Sequence, residues 1–231
     1  MKNLKKLFAT MLCLVTVLCT TATAFAAEAK LESVTASDPV VAEVTIFSST
    51  GTDDSVINLN GHAFISVKNI SSSAIPVGKM NVNPGHEITL GTRGNAKQHT
   101  GMWYNVESYR VNEFDAYPGR ASLTTRITQS DLNLLNVAIV YTNGWSYGAP
   151  CSSAAVKLWN TVSDIKLSDG VPSTPTSLRN SIMSKTGYQI NRPVQYMTPI
   201  GYVNLAGNFV SVKYSDIIWT DGLSSRLIPE E

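Results

Sequence analysis

Apolar and polar positions alternate with a period of two through much of the chain from residue 40 to about 127. Val40 to Phe47 is rich in Val, Thr and Ile and predicts a strand, and Gly51 to Asp54 reads as a turn or loop. His62 to Asn69 alternates more strictly. Ala63, Ile65 and Val67 share one face, and His62, Phe64, Ser66 and Lys68 share the other. The first face is wholly apolar and is expected in the core, which leaves His62 on the more polar side. Ser71-Ser72-Ser73 marks a turn, and Ile75 to Val82 is expected to return as the partner strand. Pro84-Gly85 is a further turn, Glu87 to Thr92 a third short strand, and the whole stretch a β-meander. Gly91 to Gly101 reads as a loop, Trp103 to Val111 as an aromatic alternating strand, Asn112 to Gly119 as a loop, and Ala121 to Ile127 as another strand.

At Thr128 the period changes. Thr128 and Asp131 have the spacing of a capping box, and Leu132, Leu135 and Ile139 follow at helical intervals up to Asn143-Gly144. After a loop from Trp145 to Pro150, Cys151 or Ser152 opens a second helix whose apolar side is Ala154, Ala155, Leu158, Trp159 and Val162. Pro172 to Pro175 breaks the chain, Ser177 to Lys185 predicts a short third helix, and β signals resume at Val194–Tyr196, Gly201–Asn204 and Phe209–Trp219. Strands, then two or three helices, then strands argue for an α+β fold on an antiparallel β-sheet.

The N-terminus changes the count of domains. Lys2, Lys5 and Lys6 precede an apolar stretch from Leu7 to Leu18, and Ala24-Phe25-Ala26 is a small-x-small cleavage site. This predicts a secretory signal peptide over residues 1–26 and export to the cell envelope or medium. The apolar stretch is short for a membrane span, so none is expected after signal removal. Residues 27–55 then form a leader and first strand, 56–187 the core, and 188–231 a β-rich segment of the same domain. The full chain has 18 Lys+Arg against 17 Asp+Glu. Losing the three signal lysines leaves 15 against 17, a net charge of −2, which carries no footprint for nucleic acid. Of the three cysteines, Cys13 and Cys19 leave with the signal and Cys151 remains alone, unable to form an internal disulfide.

Cys151 at a helix start is placed for chemistry. Unpaired amides and the positive end of the helix dipole stabilise a thiolate, so the helix position predicts a lowered pKa and a usable nucleophile. Such a nucleophile needs a general base, and His62 is the best candidate. Pairing about the Ser72 turn would bring Asn81 or Asn83 beside His62 to orient its ring, with His86 and Glu87 as rivals. An oxyanion donor is expected from the Cys151 amide and a side chain of the preceding loop, Tyr147 or Trp145. Three scattered histidines without paired spacing make no zinc signature, and no metal or other cofactor is expected.

The order Gly61-His62-Ala63-Phe64-Ile65, then the 128–139 helix, then Cys151-Ser152-Ser153-Ala154-Ala155 resembles circularly permuted papain-like hydrolases, relatives of NlpC-type cell-wall peptidases and lecithin:retinol acyltransferase-like proteins. The resemblance covers roughly residues 56 to 165. Pro150 departs from it, since a polar residue is common before the cysteine. It implies a permuted papain-like fold and a cysteine hydrolase acting on an amide or ester bond of a peptide or acyl substrate, peptidoglycan among them. The competing reading is a non-catalytic, β-rich secreted binding module with Cys151 as a packed thiol. On either reading residues 188–231, with no histidine or cysteine, are expected to shape the structure or the substrate groove.

Overall fold

A computed structural model describes residues 38–50, 61–148 and 150–220. The chain divides into two units, 1–38 and 39–231, and every element named here belongs to the second. The signal-peptide segment and the Gly51–Asp54 turn lie outside the described residues. No helix among the described residues is long and apolar enough to cross a membrane.

The molecule is α+β. Ten strands are described: β1 (Val40–Ser49), β2 (His62–Asn69), β3 (Ile75–Val77), β4 (Met80–Val82), β5 (Glu87–Arg93), β6 (Gly101–Tyr104), β7 (Ala121–Thr128), β8 (Gln189–Ile190), β9 (Ile200–Val203) and β10 (Phe209–Val212). Four helices accompany them: α1 (Val106–Phe114), α2 (Gln129–Tyr141), α3 (Cys151–Val162) and α4 (Pro175–Met183). Eight strands form one antiparallel sheet in the order β10-β9-β6-β5-β2-β1-β7-β8. The β1–β2 register, Ile46↔Ile65 and Phe47↔Phe64, fixes the two faces. Val44, Ile46, Ala63, Ile65, Val67 and Leu90 pack with Leu132, Leu135, Ile139, Ala155, Leu158, Trp159, Leu178 and Ile182 in the principal core. On the other face Phe47 stacks on Phe64 at 4.7 Å, Val194 packs beside them, and His62 continues the same row. The alternation therefore placed His62 on the correct side.

The Thr128–Asp131 capping box is formed, with the Thr128 side chain taking the Asp131 amide and the Asp131 carboxylate taking the Thr128 amide. Three expectations are corrected. Ile75 to Val82 does not return beside β2 but closes on itself as the β3–β4 hairpin, and β5 is the partner of β2. Gly78, at φ 57°, supplies the left-handed residue of a two-residue turn that the sequence reading missed. Trp103 to Val111 is a strand only as far as Tyr104. Asn105 then turns the chain at φ 62°, its side chain accepting from the Thr89 amide and donating to the Pro199 carbonyl, and α1 begins. Beyond residue 188 the strands are shorter than expected. Val194–Tyr196 is not a strand, and Phe209–Trp219 divides into β10 and a single 3-10 turn, Tyr214–Asp216.

Candidate active site

The β2–β5 ladder runs from Lys68↔Glu87 only to Ile65↔Leu90, while β5 continues to Arg93 paired with β6 alone. The two strands thus part company near His62. Asn69 donates its amide to the His86 carbonyl on the β5 side, and amides of alternate residues in a strand point the same way. The Ala63 amide consequently points into the gap where β5 has left. The sulfur of Cys151, the first residue of α3, lies near that amide and the Ser152 amide, both of which favour its thiolate. Cys151 therefore plugs a split in the sheet immediately beside the His62–Ala63 peptide.

His62 faces a buried polar cluster. Its Nε2 lies 2.9 Å from Glu107 Oε1, and the same carboxylate oxygen accepts from Arg93 at 3.0 Å. Arg93 also donates to the Tyr117 hydroxyl at 2.6 Å, and the Tyr117 ring packs on His62 at 5.2 Å. Glu107 is fully buried, and His62 and Arg93 are each more than nine-tenths buried. Gly91 makes the arrangement possible, because a Cβ there would stand 2.5 Å from Glu107 Oε1 and 3.1 Å from His62 Nε2.

Burial and then the Arg93 charge lower the His62 pKa from 6.5 to about 4, against the opposing pull of Glu107. Burial alone would raise Glu107, but Arg93 and the His62 hydrogen bond overcome it and hold the carboxyl down at about 2. Burial also works against the Arg93 charge, and Tyr117 and Glu107 more than offset it. At neutral pH the cluster is thus an ionised carboxylate bridging a neutral imidazole and a guanidinium. A carboxylate can only accept, so His62 must carry its proton on Nε2, leaving Nδ1 with a free lone pair.

Cys151 differs from its expected chemistry. Burial raises the thiol pKa, and the Ala63 amide, Arg93 and the Ser152 amide only partly counter it. The helix terminus does not win, because the sulfur sits in the core at 8% exposure. The resting pair is a thiol and a neutral imidazole. Among the described residues no hydrogen bond joins the thiol to the His62 ring, whose one hydrogen bond goes to Glu107.

Asn81 and Asn83 do not reach His62. Asn81 pairs with Pro76 in the small hairpin, Asn83 is an exposed turn residue, and the His62 ring bonds to Glu107 instead. Of the rivals, Glu87 instead binds Arg192 and the Ser66 hydroxyl, and His86 lies in the turn. Trp145 packs its ring over Gly94, next to Arg93, with Tyr147 against it at 5.2 Å, and Tyr147 is 92% exposed. The sequence reading missed Glu107, Arg93, Tyr117 and Gly91. Asn105 as a helix-capping residue type just before Glu107 was the available signal for α1. No family model, no curated protein and no solved structure matches the chain.

Proposed function

We propose that the protein is an exported cysteine hydrolase acting on an amide or ester bond of a peptide or acyl substrate, with a permuted papain-like arrangement. The observation that carries this reading is the lodging of Cys151 in the sheet split beside His62, whose ring is held from behind by Glu107. Cys151 Sγ would attack the carbonyl carbon while its proton passes to His62 Nδ1, the free position opposite the Glu107 bond. His62 then gives that proton to the leaving amine or alcohol. Water, deprotonated by the same ring, cleaves the thioester to the acid and returns the thiol. Glu107 stays ionised throughout, fixing the tautomer and stabilising the imidazolium as it forms. Cell-wall stem peptides and lipid-linked acyl groups are the substrate classes that export makes accessible. A second reading, a non-catalytic binding module, is favoured by the burial of the thiol.

A model ester separates the two. Cys151 of the folded protein is expected to be acetylated by p-nitrophenyl acetate faster than in the urea-unfolded protein at the same pH, as followed by mass spectrometry. His62→Gln should bring the rate down to the unfolded one, and Cys151→Ala should remove the adduct. Equal or slower acetylation of the folded protein would establish the binding module.

A further inference from the structure

Beside the His62–Glu107 pair lies a group of donors that the proposed chemistry does not use. Arg110 sits one turn after Glu107 on α1 and is 8% exposed. It forms no ion pair among the described residues, and its Nε has no hydrogen-bond partner. Its guanidinium lies over the rings of Tyr117, at 5.5 Å, and Trp219, at 5.6 Å. The Arg93 guanidinium lies over the same Trp219 ring at 5.4 Å, and its Nε is likewise without a partner. Tyr214, 5.8 Å from Trp219, has a buried hydroxyl with no partner among the described residues, and the Trp219 indole Nε1 is in the same condition.

Two buried guanidiniums, Arg93 and Arg110, therefore lie beside one buried carboxylate, Glu107, which pairs with Arg93 and leaves Arg110 without an ion pair among the described residues. An uncompensated buried charge is destabilising, and each unmet buried donor adds to that cost. We propose that Arg93, Arg110, Tyr214 and Trp219 form a subsite for a carboxylate, the group that marks the substrate next to its scissile bond. A single negative charge matches the single excess positive one. The planar forks suit a carboxylate, and the aromatic faces of Tyr117 and Trp219 wall it from water. As a substrate subsite this rests on the hydrolase reading, whereas as an anion site it does not. The class of substrate it selects is an acid-bearing peptide or acyl-amino acid in preference to a neutral lipid ester. The contribution of Tyr214 and Trp219 also gives the C-terminal segment its role: it shapes the groove and supplies no reacting atom.

The test uses the full mature chain and the Trp219 indole N–H resonance in 15N NMR, assigned with Trp219→Phe. N-acetylalanine is titrated against N-acetylalanine amide, which has the same shape without the charge, and against inorganic phosphate. The acid is expected to shift the resonance saturably with at least tenfold higher affinity than the amide and than phosphate. Arg110→Met should weaken the acid at least tenfold, with the Trp103 and Trp159 indole signals unmoved as evidence of an intact fold. Equal affinity for acid and amide, tighter binding of phosphate, or an unchanged Arg110→Met protein would overturn the proposal. If that variant does not fold, the wild-type comparison of acid and amide decides alone. Cys151→Ala is expected to keep the acid-selective shift. Should Cys151 acetylation fail while the shift persists, the hydrolase reading falls and the anion site stands.

Discussion

Acid titration of the folding equilibrium isolates His62. The imidazole has an ordinary pKa of 6.5 and is held at about 4 in the fold, chiefly by burial and by Arg93. A folded pKa below the unfolded one means that, between pH 6.5 and 4, the unfolded chain takes up a proton that the folded chain refuses. Stability contributed by neutral His62 is thus fully present above pH 6.5 and declines as the pH falls towards 4. At about 1.4 kcal/mol per pKa unit, the difference amounts to roughly 3 kcal/mol, a large part of the ~5–15 kcal/mol of a typical domain. Glu107 adds its own loss only at the foot of this window and below it, because its stability declines from its ordinary value of 4.5 towards its folded value of about 2. The measurement is urea unfolding of the wild type and of His62→Gln at pH 7, 6, 5 and 4.5. The variant is expected to be less stable at pH 7 and to lose less stability on acidification, so that the two curves converge. Parallel curves would show that His62 titrates normally in the fold, and the assignment of a neutral, Nε2-protonated base would fail with them.

Two further outcomes follow from the packing. Gly91→Ala is expected to cost about 1–3 kcal/mol and to bring Cys151 acetylation to the unfolded rate, because the new methyl group must push Glu107 away from His62; a variant with native melting temperature and native acetylation rate would show that the pair is not set by this contact. Thr128→Ala removes one arm of the capping box of α2 and is expected to lower stability by about 1 kcal/mol while leaving acetylation unchanged, with melting temperature and adduct formation as the two readouts.

What the sequence disclosed, and what it hid, follows from the kind of signal each element carries. β2 and α3 each set an apolar row against a polar one, so their existence, their bounds within a residue or so, and the placing of His62 on the face of β2 opposite Ala63, Ile65 and Val67 were legible. Helix α1 carries no such row. Its buried residues are Val106, Glu107, Ser108 and Arg110, so the inward side is mostly polar and hydrophobic periodicity cannot find it. Arg93 was hidden for a related reason, since a charged residue at the end of a polar stretch reads as solvated unless its partners, Glu107 and Tyr117, are known to close over it. The parting of β2 from β5 is a property of pairing between residues distant in sequence, Ile65 and Leu90 being the last pair, and no local pattern encodes it.

The hidden part is also the part that stability alone does not explain. A buried Arg–Glu–His cluster is often no more stabilising than an apolar replacement of the same volume, and here it is left incomplete, with Glu107 Oε2, Arg93 Nε, Arg110 Nε, Tyr214 OH and Trp219 Nε1 all unmet. The backbone around it is also costly. Asn105, Asp115 and Tyr117, which bracket the helix bearing Glu107 and Arg110, hold φ of 62°, 47° and 62°. Asn and Asp tolerate that region, but the bulky Tyr117 does not adopt it without strain. Tyr117 is held there by the Arg93 hydrogen bond and by its packing on His62 and Phe64. An arrangement that spends backbone strain, a glycine at Gly91 and unmet donors to keep one imidazole neutral beside one thiol makes sense if a ligand completes it. A carboxylate on the two guanidiniums would meet the orphaned donors and cancel the excess charge, so the site would reach its most stable state only with substrate bound. The same event would reduce the positive field that Arg93 imposes on His62, raising the ring's proton affinity at the moment the thiol proton must be accepted. Substrate binding and base activation would then be one electrostatic step.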